Sequence, residues 1–305
     1  MSQLSIDAIR TAHSVISPIF THTPYFLAEG MSEQLGCGVM LKIETLNPIK
    51  CFKGRGADNF MATREDAGPY VCVSAGNFAQ GLAFAARERG RSVIAFTPAN
   101  APVVKLNRLK SLGADVRAVG RDYDDAKEKA TAFAEEAELP FVLDGRDIAI
   151  SEGAATIGLE IAESGFAIDC IIVPLGGGAL ISGIARWLKH AMPNVEIIAA
   201  VPTGAPSMAL SWRERKAVDT DSVNTRADGL AIRCPIREVI PELVENVDDV
   251  LLFDDANLAT ASELIRIDTS LLVEPSGAAA IATIVQHRER FAKKRVATII
   301  TGANA

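Results

Sequence analysis

Two hydrophobic rhythms alternate along the chain. Short, almost wholly apolar runs read as strands at residues 70–74, 91–97, 114–119, 140–143, 169–175 and 195–201. Between them, apolar residues recur every three or four positions, which predicts helices at 77–89, 102–112, 124–137, 154–164 and 179–190. Gly90, Gly113 and Gly165 fall where three of these helices should stop. Strand and helix in strict alternation imply βαβ units, hence an α/β fold with mostly parallel sheets covered by helices. Burial on both faces explains why the run DCIIVPL (169–175) is apolar almost throughout. From 203 to 250 the rhythm weakens, and a surface loop with a short helix is expected there. It resumes with a strand in DDVLLF (248–253), helices at 257–268 and from Ser276, and a last strand at 296–300. No internal repeat or low-complexity linker interrupts the pattern.

The composition narrows the class. With 305 residues, 49% hydrophobic and 23% charged, the chain buries a large core of one or two domains. Aromatic residues make up only 6%, so Ala, Val, Ile and Leu must fill most of that core. The net charge of −7, with no basic stripe, argues against nucleic acid. The five cysteines, Cys37, Cys51, Cys72, Cys170 and Cys234, are odd in number and contain no C-x-x-C pair, which reads as reduced thiols in a cytoplasmic protein. His13, His22, His190 and His287 show no metal-ligand spacing, so no metal site is expected. No secretory leader and no membrane span is expected either.

Four motifs carry chemistry. The run PLGGGAL (174–180) follows a strand and opens a helix, so Gly176, Gly177, Gly178, Ala179 and Leu180 form a turn that suits a phosphate. It lacks the Gly-Lys-Ser/Thr ending of a nucleoside-triphosphate loop. An acid at the end of the next strand, as dinucleotide binding requires, is also missing, so a smaller phosphorylated cofactor fits better. The run NPIKCFKGRGA (47–57) sets Lys53 between Phe52 and glycine. Apolar surroundings disfavour a charged amine, and a neutral amine is what Schiff-base chemistry needs. The run SAGNFAQG (74–81) offers a second anion site, in which Ser74, Ala75, Gly76, Asn77 and Phe78 suit a substrate carboxylate. An alternative reading of Asn77 is a helix N-cap. The run IITGAN (299–304) places Thr301 at a strand end, where open α/β sheets bind ligands.

Taken together and in order, these motifs resemble the fold-type II pyridoxal-phosphate enzymes, in particular the serine/threonine dehydratase and serine racemase family. The resemblance runs from about residue 9 to 304. It implies that Lys53 forms the Schiff base with pyridoxal 5'-phosphate beside Phe52. The loop Gly176, Gly177, Gly178, Ala179 and Leu180 is then expected to take the phosphate, Asn77 the phenolic oxygen, and Thr301 the ring nitrogen. Glu274, in EPSG (274–277), lies near the cofactor, and Asp228 falls in a segment similar to the family's T-x-A-D-G-L-A. Two lobes are implied, a large one of residues 1–68 with 144–305 and a small one of 69–143, with the cofactor between them. A homodimer is implied as well.

The implied activity is an ammonia-lyase acting by α,β-elimination on a hydroxy amino acid such as L-threonine or L-serine. Alternatives are β-replacement, threonine-synthase-like chemistry, elimination from 3-hydroxyaspartate or diaminopropionate, and a non-catalytic ligand-binding relative. The sequence departs from the family at several places. Phe78 replaces a histidine, Lys50 and Cys51 replace Gly-Ser, and Pro202 stands where racemases carry an acid used for a divalent cation. Ala75 replaces the serine that racemases use to move a proton on the second face, which disfavours racemisation. No regulatory module is expected beyond Thr301.

Overall fold

The computed structural model describes residues 3–304. Two sheets organise them. The larger has six strands in the order β1-β2-β10-β7-β8-β9. These are β1 (Tyr25–Leu27), β2 (Gly38–Ile43), β7 (Cys170–Pro174), β8 (Glu196–Pro202), β9 (Asp249–Phe253) and β10 (Arg295–Ile300). Only the edge strand β1 is antiparallel; β2, β10, β7, β8 and β9 run parallel. The smaller sheet is parallel throughout, in the order β5-β4-β3-β6, from β3 (Tyr70–Val73), β4 (Val93–Thr97), β5 (Asp115–Ala118) and β6 (Phe141–Val142). The α/β class read from the rhythm is therefore the class observed.

The apolar strands are buried on both faces. Val39, Leu41, Ile171, Ile172, Ile198 and Ala199 have essentially no exposure. One face of the large sheet packs on the helices Ile148–Glu163 and Ala179–Ala191, the other on Ala256–Thr269 and Pro275–Gln286. Removing this much aliphatic surface from water is the main stabilising term.

The region 203–250 holds two helices, Ser207–Glu214 and Ile240–Asn246, rather than the single short one expected. The helix Lys53–Ala62 has no sequence signature, because Gly54 and Gly56 lower its intrinsic propensity. Those glycines are there for packing. A Cβ on Gly54 would stand 2.3 Å from the Phe20 ring, and one on Gly56 would stand 2.5 Å from the Ile150 carbonyl oxygen. Tertiary contact thus overrides propensity in the helix that begins with the candidate lysine.

All three strand-end motifs finish on one side. Ser74 follows β3, Gly176 lies just beyond β7, and Thr301 follows β10. Parallel strands leave their carboxyl ends open to ligands, so the topology gathers these motifs around one cleft.

Candidate functional site

Lys53 is the first residue of its helix, and the chain before it is tied to the end of β10. Cys51 bridges Gly302, and the Phe52 N–H donates to the Thr301 carbonyl at 3.0 Å. The Nζ of Lys53 lies 4.5 Å from the centroid of the Phe52 ring. The apolar wall is therefore present, but it is not the whole setting. The Nζ also forms an ion pair with Asp144, a residue with no place in the motifs read from the sequence. The helix Asn77–Arg87 comes unusually close to the lysine backbone: a Cβ on Gly81 would lie 3.1 Å from the Lys53 carbonyl carbon.

The glycine turn is shaped from behind. A Cβ on Gly176 would meet the Gly229 carbonyl oxygen at 2.4 Å. Gly178 has φ +97°, and a Cβ there would meet Val239 at 2.3 Å. Only Gly177 has room, with its nearest neighbour at 3.7 Å. The protein packs tightly around two of the glycines and leaves the third open. The 13-residue helix Ala179–Ala191 starts directly after them and aims its first-turn N–H groups and positive end at the turn.

Asn77 does not cap its helix; Gly76 holds that position, and Asn77 is the first helical residue. Its amide is held instead by two other motifs. Nδ2 donates to Glu274 Oε1 at 2.7 Å, and Oδ1 accepts from Asn304 Nδ2 at 2.8 Å. Glu274 also accepts the Asn304 backbone N–H at 3.1 Å. Burial pushes the Glu274 carboxyl up, against the lowering effect of these hydrogen bonds. An amide nitrogen has two hydrogens, so Asn77 keeps one for a ligand. Ser74 Oγ accepts the Gly76 N–H at 3.0 Å, which shapes the turn. The Thr301 hydroxyl has only a long 3.5 Å contact with the Ser276 carbonyl.

A cavity of about 430 Å³ collects these groups. Phe52, Lys53, Ser74, Ala75, Gly76, Asn77, Phe78, Gly176, Gly177, Gly178, Ala179, Leu180, Glu274 and Thr301 all line it. So do Asp144, Lys105, Tyr123 and Asn304. The first three of these lie outside any local motif, and only the packing of the small sheet against the cleft reveals them. Asp228, at the rim, pairs with Lys105 at 2.6 Å. Tyr123 has its hydroxyl pushed up to about 12, first by loss of solvation and then by the Asp144 charge.

Behind the site sits a buried ionic cluster. Arg55, wholly buried and two residues beyond Lys53, donates to Glu44, Glu160, Thr156 and Thr23. Lys42 reaches Glu160 at 2.5 Å. The fold also brings ligand atoms of His13, His22 and Glu160 within 4.8 Å of one another, a grouping with no sequence spacing to announce it. The Glu160 oxygens already accept Arg55 and Lys42, and two positive charges oppose a third.

The cavity's residues fit pyridoxal phosphate in kind: an amine for the aldehyde, a glycine turn at a helix start for the phosphate, a spare amide hydrogen for the phenolic oxygen, and a loosely engaged hydroxyl for the ring nitrogen.

Comparison with known proteins agrees. The family model described as pyridoxal-phosphate dependent enzyme matches residues 16–302. The mitochondrial threonine dehydratase of Schizosaccharomyces pombe is 34% identical over 303 residues, 96% of this chain and 50% of that protein. The L-threonine ammonia-lyase of Geobacter sulfurreducens is 34% identical over 276 residues, 90% of this chain and 69% of that one. The structure of maize serine racemase superposes with a TM-score of 0.94 at 30% identity, covering 100% of this chain and 94% of that one. The chain thus spans about half the length of the yeast relative and more of the bacterial one. Among the described residues, no helix is long and apolar enough to cross a membrane. The chain belongs to the pyridoxal-phosphate dependent enzymes of fold type II, in the serine/threonine dehydratase family.

Proposed function

We propose that this chain is an ammonia-lyase that removes the β-hydroxyl of a small hydroxy amino acid, such as L-threonine or L-serine, to give a 2-keto acid and ammonia. The observation that carries this reading is the convergence of Lys53, the glycine turn, the 74–78 loop and Thr301 on one cavity, in a chain related to threonine ammonia-lyases.

Each residue has a part. Lys53 holds the cofactor through its Nζ. Its amine, when not bonded to the cofactor, would be the base that takes the proton from the substrate Cα. Gly176, Gly177, Gly178, Ala179 and Leu180 hold the phosphate, and Phe52 flanks the amine. Ser74, Ala75, Gly76, Asn77 and Phe78 bind the substrate carboxylate. Glu274 and Asn304 fix the Asn77 amide so that its remaining hydrogen faces the ligand. Thr301 offers the ring nitrogen a neutral hydroxyl, which leaves that nitrogen largely unprotonated. Pyridoxal phosphate held there would supply an electron sink for the pair left at the substrate Cα. A weak electron sink favours prompt departure. Ala75 holds no transferable proton, which disfavours reprotonation on the opposite face and with it racemisation.

The division into a large lobe (1–68 with 144–305) and a small lobe (69–143) belongs to the same reading. It is supported by the four-stranded sheet, whose strands all lie between Tyr70 and Val142. So do a homodimer and a cytoplasmic location, both by resemblance to the family.

The test is an assay of keto acid and ammonia from L-threonine and L-serine with the purified, cofactor-loaded protein. Both products are expected from at least one of the two. Lys53→Ala should abolish them and remove the visible absorbance of covalently held cofactor. Silence on both amino acids, with cofactor bound, would discard the elimination reading.

A further inference from the structure

The charges of the cavity wall do not balance. Its carboxylates are Asp144, Asp228 and Glu274, and its cations are Lys53 and Lys105. Lys105 is committed to Asp228 at the rim. Glu274 is committed to Asn77 and the Asn304 N–H. That leaves Asp144 facing Lys53. One Asp144 oxygen takes the lysine, while the other, Oδ1, is buried without any hydrogen-bond partner. A buried carboxylate oxygen with no donor costs free energy, and such orphans call for an explanation. Its place is fixed by a tight turn. Gly145, at φ +91°, packs so closely on the glycine loop that a Cβ would lie 2.6 Å from the Gly177 carbonyl oxygen.

Lys53 cannot serve the cofactor and Asp144 at once. With its Nζ bonded to the cofactor, Lys53 would keep at most one N–H, so Asp144 would lose the ammonium it now pairs with, in a half-buried cleft beside that nitrogen. Resting on the elimination reading above, we infer that Asp144 is a specificity-determining residue that selects substrates by their β-substituent. The oxygen that the lysine releases, Oδ2, accepts a hydrogen bond from a β-hydroxyl or β-ammonium group, and the carboxylate repels a β-carboxylate. The other cation of the cavity wall, Lys105, is already paired with Asp228 at the rim, so an acidic side chain would have to compete for it. The substrate class is therefore serine, threonine and 2,3-diaminopropionate, with 3-hydroxyaspartate excluded.

The experiment uses the holoenzyme and two amino acids that have no α-proton and so cannot react, α-methylserine and α-methylaspartate. Dissociation constants are read from the change in the cofactor's visible spectrum. The wild type is expected to bind α-methylserine at least about tenfold more tightly than α-methylaspartate, the scale of one charge-assisted hydrogen bond. Asp144→Asn should shrink that preference to within about twofold and raise KM for 2,3-diaminopropionate more than it lowers kcat for serine. Cofactor-free protein supplies a separate readout: Asp144→Asn should bind pyridoxal phosphate no more weakly than the wild type, since the cofactor replaces the carboxylate as the lysine's partner. Equal or tighter binding of α-methylaspartate by the wild type overturns the proposal even if no variant folds. A preference unchanged in Asp144→Asn, with serine or threonine still converted, overturns it while leaving the elimination reading intact. No spectral response to either analogue, together with no turnover, overturns both.

Discussion

Arg55 forks onto Glu44 through Nε and Nη2, each donating at 2.8 Å, two residues beyond Lys53 on the same helix. All of these groups are essentially unexposed. A buried pair of this kind adds little net stability compared with an apolar substitute, but breaking it leaves an uncompensated charge. Its use here is geometric, because it fixes the start of the helix that presents the lysine. Arg55→Met should destabilise the protein by about 3–5 kcal/mol, measured by urea unfolding. Arg55→Lys should recover only part of that loss, since an ammonium cannot reproduce the fork.

The same cluster predicts acid sensitivity. Burial alone would raise the Glu160 carboxyl, but hydrogen bonds and charge from Arg55, with Lys42 beside them, outweigh it and hold the group at about 2. The ordinary value is 4.5. A depressed carboxyl contributes stability that is fully present above its unfolded value and is lost as pH falls through its folded one. The window therefore runs from 4.5 down to about 2. The loss across it should be on the order of 3 kcal/mol. Glu160→Gln should be less stable at neutral pH yet show a flatter unfolding free energy across that window, read from denaturant midpoints at successive pH values.

The glycine turn is intolerant where it is packed and tolerant where it is open. Gly178→Ala must place a side chain at positive φ against Val239. It should cost about 1–3 kcal/mol of stability and weaken cofactor binding by tenfold or more. Gly177→Ala, whose Cβ meets nothing closer than 3.7 Å, should fold normally and affect chiefly the cofactor affinity. Equilibrium titration of the cofactor-free proteins with pyridoxal phosphate separates the two.

Glu274 acts on the site through Asn77. Glu274→Ala should leave the amide of Asn77 free to turn, lowering kcat/KM by about tenfold to a hundredfold, the scale of one lost buried hydrogen bond. Stability should fall as well, by about 1–3 kcal/mol, because Glu274 is buried and its removal leaves donors of Asn77 and Asn304 unpaired. A kcat/KM equal to that of the wild type would remove Glu274 from the positioning role.

Lys105, on the helix Val103–Ser111, pairs with Asp228 at the rim of the cavity, but both are substantially exposed. Such pairs contribute at most about 1 kcal/mol. Lys105→Ala should therefore unfold within that margin of the wild type, and its effect should fade in high salt.

The alternation of apolar runs and helical periods was enough to fix the α/β class, because a parallel sheet buried on both faces can be written in no other rhythm. The glycine turn, Lys53, Asn77 and Thr301 were legible for a similar reason: each depends on backbone conformation or a reactive group encoded within a few residues. Asp144, Lys105, Tyr123 and the trio His13, His22 and Glu160 were not legible. They come from separate elements and meet only when strands far apart in sequence pair. The helix Lys53–Ala62 was also hidden, since its glycines lower local propensity and are justified only by Phe20 and Ile150 across the fold. Sequence alone determined the α/β class and the family, and named the motifs that line the cleft. Tertiary packing decided that a carboxylate would face the lysine, because that contact spans 91 residues and no local pattern can encode it.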